Sequence, residues 1–165
     1  MNIARIIFVA LVVFVIQMTA IHRIAVAGCA PDLMMILIVS LVLERGPVPA
    51  VVIGFLLGFL QDLGNASFLG MNALSKSVLS YGVSRLGGGL LPENVLYKGF
   101  IIFAACLLND IIVLPIATSF SIGEIFVSFF RYSLLSALYS ALVGVFIFGL
   151  LELLTRRVVR PGVGH

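Results

Sequence analysis

The sequence predicts an all-α membrane protein: a six-helix transmembrane bundle with both termini cytoplasmic. Three observations carry this. First, 62% of the residues are hydrophobic and only 10% charged, against roughly 45–50% and about 25% in an ordinary soluble domain. Second, with a mean hydropathy of +1.26, apolar runs of about 20 residues, the length that crosses a bilayer, recur from end to end. Third, Lys and Arg are distributed asymmetrically along the chain. Six such helices would occupy about 120 of the 165 residues and leave only short loops. The reading is therefore a single integral membrane domain over 1–165, with no room for a soluble catalytic domain.

The first span is residues 3–21, with Arg5 at its start and Gln17 as its main polar interruption. The triplet Ala25-Val26-Ala27 resembles a signal-peptidase site and Val26-Ala27-Gly28-Cys29 a lipoprotein box. Both follow a full-length span and lie behind His22 and Arg23, so a retained helix is expected. The second span, 24–43, carries Pro31 and Asp32 in its first half and closes at Glu44-Arg45-Gly46-Pro47. The third, 49–60, is short and ends at Gln61 and Asp62; it reads as tilted or partly submerged, followed by a re-entrant turn over 64–70. The fourth, 71–86, is interrupted by Lys76. The polar connection from Gly87-Gly88-Gly89 through Lys98 leads to the fifth, 99–118, which carries Asn109, Asp110 and Pro115. Residues 125–154 suffice for a sixth span with an interfacial extension, and Arg131 lies near its start.

With both ends inside, Arg5, Arg45, Arg85, Lys98, Arg156, Arg157 and Arg160 fall on cytoplasmic connections, and only Arg23 and Arg131 on the outer side. That bias sets the orientation. The net charge of +3 does not indicate nucleic acid, because outside Arg156, Arg157 and Arg160 the basic residues stand singly and form no phosphate-tracking face. Cys29 and Cys106 offer neither metal spacing nor a disulfide framework. With His22 and His165 as the two histidines, there is no metal helix and no Ser-His dyad. The expectation is a non-enzyme without cofactor or metal.

A charge at mid-bilayer costs at least about 2.5–3.5 kcal/mol on insertion scales, which makes such residues candidates for a site. These are Asp32, Asp62, Lys76, Asp110 and Arg131, expected to converge on a polar recess opening outward. Gly54, Gly58 and Asp62 follow at four-residue steps on one helix face, where small residues admit a second helix. Asn72, Lys76 and Ser80 share that spacing on the next span. A hairpin of the two would set Lys76 against Asp62 or bond Asn72 to the turn. Pro115 removes a donor and clashes with the Ile111 carbonyl, predicting a kink beside Asp110. Asn109, Asp110 and Arg131 read as buried structural polar residues, with Asp110 bonded to Arg131 or to nearby serines.

Pro31-Asp32-Leu33, Glu44-Arg45-Gly46-Pro47 and above all Gly54-Phe55-x-x-Gly58-x-x-x-Asp62, followed by Gly70-x-Asn72-Ala73-Leu74, resemble the MreD family of rod shape-determining proteins. The resemblance implies a non-enzymatic scaffold in the bacterial inner membrane that binds MreC. It would act with RodA and a class B penicillin-binding transpeptidase in peptidoglycan synthesis, and with MreB indirectly. It implies a fold similar to the substrate-binding subunits of energy-coupling-factor transporters, which supplies the alternative reading of a vitamin-type transporter subunit. On this likeness Pro31, Asp32, Gly54, Phe55, Gly58, Asp62, Gly70, Asn72 and Lys76 are the candidates for a partner surface or pocket; Asn109, Asp110 and Arg131 inherit no role from it.

Overall fold

The computed structural model describes residues 3–19, 29–43, 45–64, 69–87 and 94–158. The signal-peptidase-like triplet, His22, Arg23, Glu44, the apex of the re-entrant turn at 65–68 and the polar connection at 88–93 lie outside the described residues, as do Arg160 and His165. The elements are α1 (Ile3–Thr19), α2 (Leu33–Val42), α3 (Pro47–Leu63), α4 (Met71–Gly87), α5 (Val95–Ala117), α6 (Ile122–Ser128), a π-helical turn (Phe129–Ser133) and α7 (Leu134–Val158).

The short α2 is the axis of the bundle. Met34, Met35, Ile36, Ile38, Val39, Leu41 and Val42 are buried, seven of its ten residues. A helix this short rises about 15 Å, half the hydrocarbon thickness. The second span is thus not one continuous helix over 24–43: residues 29–32 are non-helical and the helix begins at Leu33. The cause is local. Pro31 pushes the residue before it out of the helical region, and Asp32 is the N-cap, its Oδ1 accepting from the Met35 amide at 2.9 Å.

Around α2 stand two antiparallel hairpins. The first, α3 with α4, is the most closely packed pair in the molecule. Here α3 runs longer than the sequence indicated, from Pro47 to Leu63, because Pro at the first helical position is pre-set for a helix start. A Cβ at Gly54 would fall on the Lys76 carbonyl and Ser80 Oγ, and one at Gly58 on the Asn72 carbonyl. The second hairpin is α5 with the α6–α7 rod. Its two arms, Val95–Ala117 (23 residues) and Ile122–Leu154 (33 residues), are each long and apolar enough to cross a membrane. Gly99 receives the Val145 side chain, and Gly144 that of Ile102.

Pro115 does not break α5 beside Asp110. The helix continues to Ala117, and the Pro115 carbonyl accepts from the Phe120 amide at 2.8 Å in the corner that follows. That corner holds Ser119 and Phe120 at φ of 50° and 62°, left-handed values that cost non-glycine residues roughly 1–2 kcal/mol each. Beyond it, α6 buries none of its residues. The α1 helix lies outermost, and Ala10 is its buried hydrophobic residue among those described.

Four basic residues gather at one end of the bundle. Ser84 Oγ donates to the Arg45 carbonyl at 2.5 Å, which brings Arg45 level with Arg85. Lys98 Nζ lies 5.3 Å from the centre of the Phe148 ring, and Arg5 lines the same groove as Phe148.

Candidate functional site

The head of α2 stands level with the last turns of α1 and α3, which carry Gln17 and Gln61, and its first amides have no partner within its own helix. Side chains from three other helices meet it. Gln17 of α1 accepts from the Leu33 amide at 3.0 Å and donates to the Pro31 carbonyl at 3.4 Å. From α7, Ser140 Oγ accepts from the Asp32 amide at 2.9 Å, and Ser136 Oγ donates to the Ala30 carbonyl at 2.8 Å. From α4, Lys76 Nζ reaches Asp32 Oδ2 at 2.9 Å and also donates to Gln61 Oε1 of α3. Irregular backbone is tolerated at this depth because protein groups replace the missing water.

Lys76 is fully buried (0% exposed) and the Asp32 side chain is 21% exposed. The pairing expected from the sequence, Asp62 with Lys76, is therefore corrected: Lys76 pairs with Asp32. The reason lies in what Asp62 does instead. At 1% exposure, its Oδ2 accepts from the Gly70 and Ala73 amides, each at 3.0 Å. Its Oδ1 accepts from the Asn72 amide at 3.1 Å and from Asn72 Nδ2 at 2.9 Å. Every acceptor site of the carboxylate is thereby filled, and it caps the first turn of α4 from the last turn of α3. Gly70 enters that turn at φ +93°, a backbone state suited to glycine.

A third polar group joins the two hairpins. Ser75 Oγ donates to Asn109 Oδ1 at 2.8 Å; Asp110, next on α5, lies beside Ser133. Of the two partners the sequence offered Asp110, the neighbouring serine is the one found. Arg131 stands apart, exposed, with its guanidinium 5.6 Å from the centre of the Tyr132 ring.

The ionisable residues thus form closed knots rather than one outward recess shared by all five. The docking role read for Gly54 and Gly58 is likewise corrected: α4 already occupies their open faces, so no further helix can approach there. Phe55 turns away from the polar groups, 46% exposed and stacked on Phe59. Pro31 is buried beside Asp32. Sequence reasoning singled out neither Ser75, Ser136 nor Ser140, although Ser136 and Ser140 stand four residues apart on one helix face, a spacing that marks a polar stripe.

Among the described residues no group of three or more His, Cys, Asp and Glu could hold a metal ion. The arrangement ties α1, α2, α3, α4 and α7 to one point through charge and hydrogen bonds. A family model described as rod shape-determining protein MreD matches residues 2–158. No curated protein and no solved structure matches the chain.

Proposed function

Since the chain belongs to the MreD family of rod shape-determining membrane proteins, we propose that it is a non-enzymatic scaffold of the complex that elongates rod-shaped bacterial cells. In this reading it is one integral domain in the inner membrane with its basic end, and both termini, in the cytoplasm. It binds MreC, supports peptidoglycan synthesis by RodA and a class B penicillin-binding transpeptidase, and works with MreB indirectly.

The observation that carries the reading is the use made of the polar groups at depth. Asp32, Lys76, Gln61, Gln17 and Ser140 bond to one another and to backbone, and Asp62 bonds to the α4 turn. Side chains engaged in this way fix the relative placement of helices, which is what a docking platform requires. The partner surface then lies on outward faces of the spans that this knot holds in register, rather than at the glycines between α3 and α4.

Affinity purification from native membranes tests this. MreC should accompany the chain, and Lys76→Met should lower its recovery together with the fraction of rod-shaped cells. Recovery of an ATPase module in place of MreC would instead support a transporter subunit of the vitamin-uptake type. Full MreC recovery with Lys76→Met would separate the knot from docking.

A further inference from the structure

The α1 helix is held to the bundle near its C-terminal end. Gln17 bonds to the head of α2, and the Met18 side chain sits against Gly64. Along its length a groove of about 530 Å³ runs between α1, α2 and α7, walled by Val9, Val13, Leu37, Ile147 and Phe148, with Arg5 at one end. Arg5 is exposed and makes no hydrogen bond or ion pair among the described residues. Lys98 does not line the groove; its ammonium lies 5.3 Å from the centre of the Phe148 ring. The nearest acid on α7, Glu152, is already engaged in an interaction of its own.

We propose that this groove is a binding site for an anionic phospholipid, with one acyl chain lying between α1 and α2 and the headgroup phosphate held at Arg5. Charge selects the occupant. A neutral hydrocarbon chain would fill the apolar walls equally well, but it leaves the free Arg5 guanidinium unanswered. A guanidinium offers paired donors that match a phosphate. Basic residues near the headgroup level attract anionic lipid at about 1 kcal/mol each. The lipid would brace α1 where protein contacts are sparse.

Native mass spectrometry of the purified full chain tests this, with phosphatidylglycerol and phosphatidylcholine of matched acyl chains added in turn. The chain should retain phosphatidylglycerol preferentially. Arg5→Gln should lower that retention about five-fold, the equivalent of about 1 kcal/mol, and lower that of phosphatidylcholine less, since the choline cation offsets its phosphate. Ser40→Phe should lower retention of both lipids, since Ser40 lines the groove from an exposed position and bonds only to the Leu37 carbonyl of its own helix. Equal retention of the two lipids by the unmodified chain would overturn the proposal. So would unchanged binding in Arg5→Gln, or an equal loss in Arg85→Gln, a basic residue of the same end outside the groove.

Discussion

Between α3 and α4 the backbones themselves meet, at Gly54 and Gly58, whereas α5 and α7 meet through side chains, Val145 and Ile102, seated over Gly99 and Gly144. At the first contact the Lys76 and Asn72 carbonyls, which cannot rotate aside, stand in the way beside the Ser80 hydroxyl; at the second the nearest atoms are the ends of two side chains. Length differs as well. The 17 residues of α3 rise about 25 Å, short of a hydrocarbon core of about 30 Å, while the 23 residues of α5 rise about 35 Å. A helix that stops early must satisfy its own end, and Asp62 does so for the turn between α3 and α4. A helix that crosses fully can end in a simple corner, as α5 does. The short hairpin therefore carries the buried charged residues, Asp62 and Lys76, whereas on the long one Asp110 is only partly buried and Arg131 is exposed.

The largest expected effect comes from separating the charges that tie the short hairpin to α2. Lys76→Met leaves Asp32 without its cation and should cost about 3–5 kcal/mol, read from unfolding in a denaturing detergent titration. Lys76→Met combined with Asp32→Asn should recover much of the loss, whereas strictly additive losses would mean that the pair is not coupled. Next comes the backbone contact. Gly58→Leu drives a side chain onto the Asn72 carbonyl and the Ala73 backbone and should cost about 3 kcal/mol. Gly82→Ala, where a Cβ meets nothing within 4 Å, should change stability by less than about 0.5 kcal/mol. Equal costs at the two glycines would erase the distinction between a filled face and an open one.

Asp62→Asn should cost about 2 kcal/mol, because an amide nitrogen would then face backbone donors. The loss should be local: the amides of Gly70, Asn72 and Ala73 should exchange faster, while those of α5 keep their rates.

Much of this was legible in the residues. Apolar runs gave the helices, two of them long enough to cross a membrane, and the four-residue step from Gly54 to Asp62 gave a buried face. Two things were not legible. Pairing by sequence proximity favoured Asp62 for Lys76, because a hairpin of consecutive helices brings them to similar heights. The true partner, Asp32, is 44 residues from Lys76 and reaches it because α2 starts late, at the level of Gln61 and Lys76. Locally, Pro31 and the N-cap residue Asp32 mark that start, but the apolar residues on either side of them carry no length signal for a helix that begins late. The serines of α7 were missed for a related reason: a hydroxyl on an apolar helix is ordinary until the backbone it serves is known.

The weakest of the contacts broken in these variants tests how the two hairpins hold each other. Ser75 and Asn109 are both buried and form a direct hydrogen bond between α4 and α5. Intramembrane hydrogen bonds average about 0.6 kcal/mol and reach about 1.7, so Ser75→Ala should lower stability by about 0.6 kcal/mol, several-fold less than Lys76→Met. Pairing it with Asn109→Leu should cost little more than the single change, since no unsatisfied amide then remains at the contact. If Ser75→Ala instead matched Lys76→Met, the assembly of the hairpins would rest on this hydrogen bond. The ion pair at the head of α2 would then be a consequence of that assembly and not its cause.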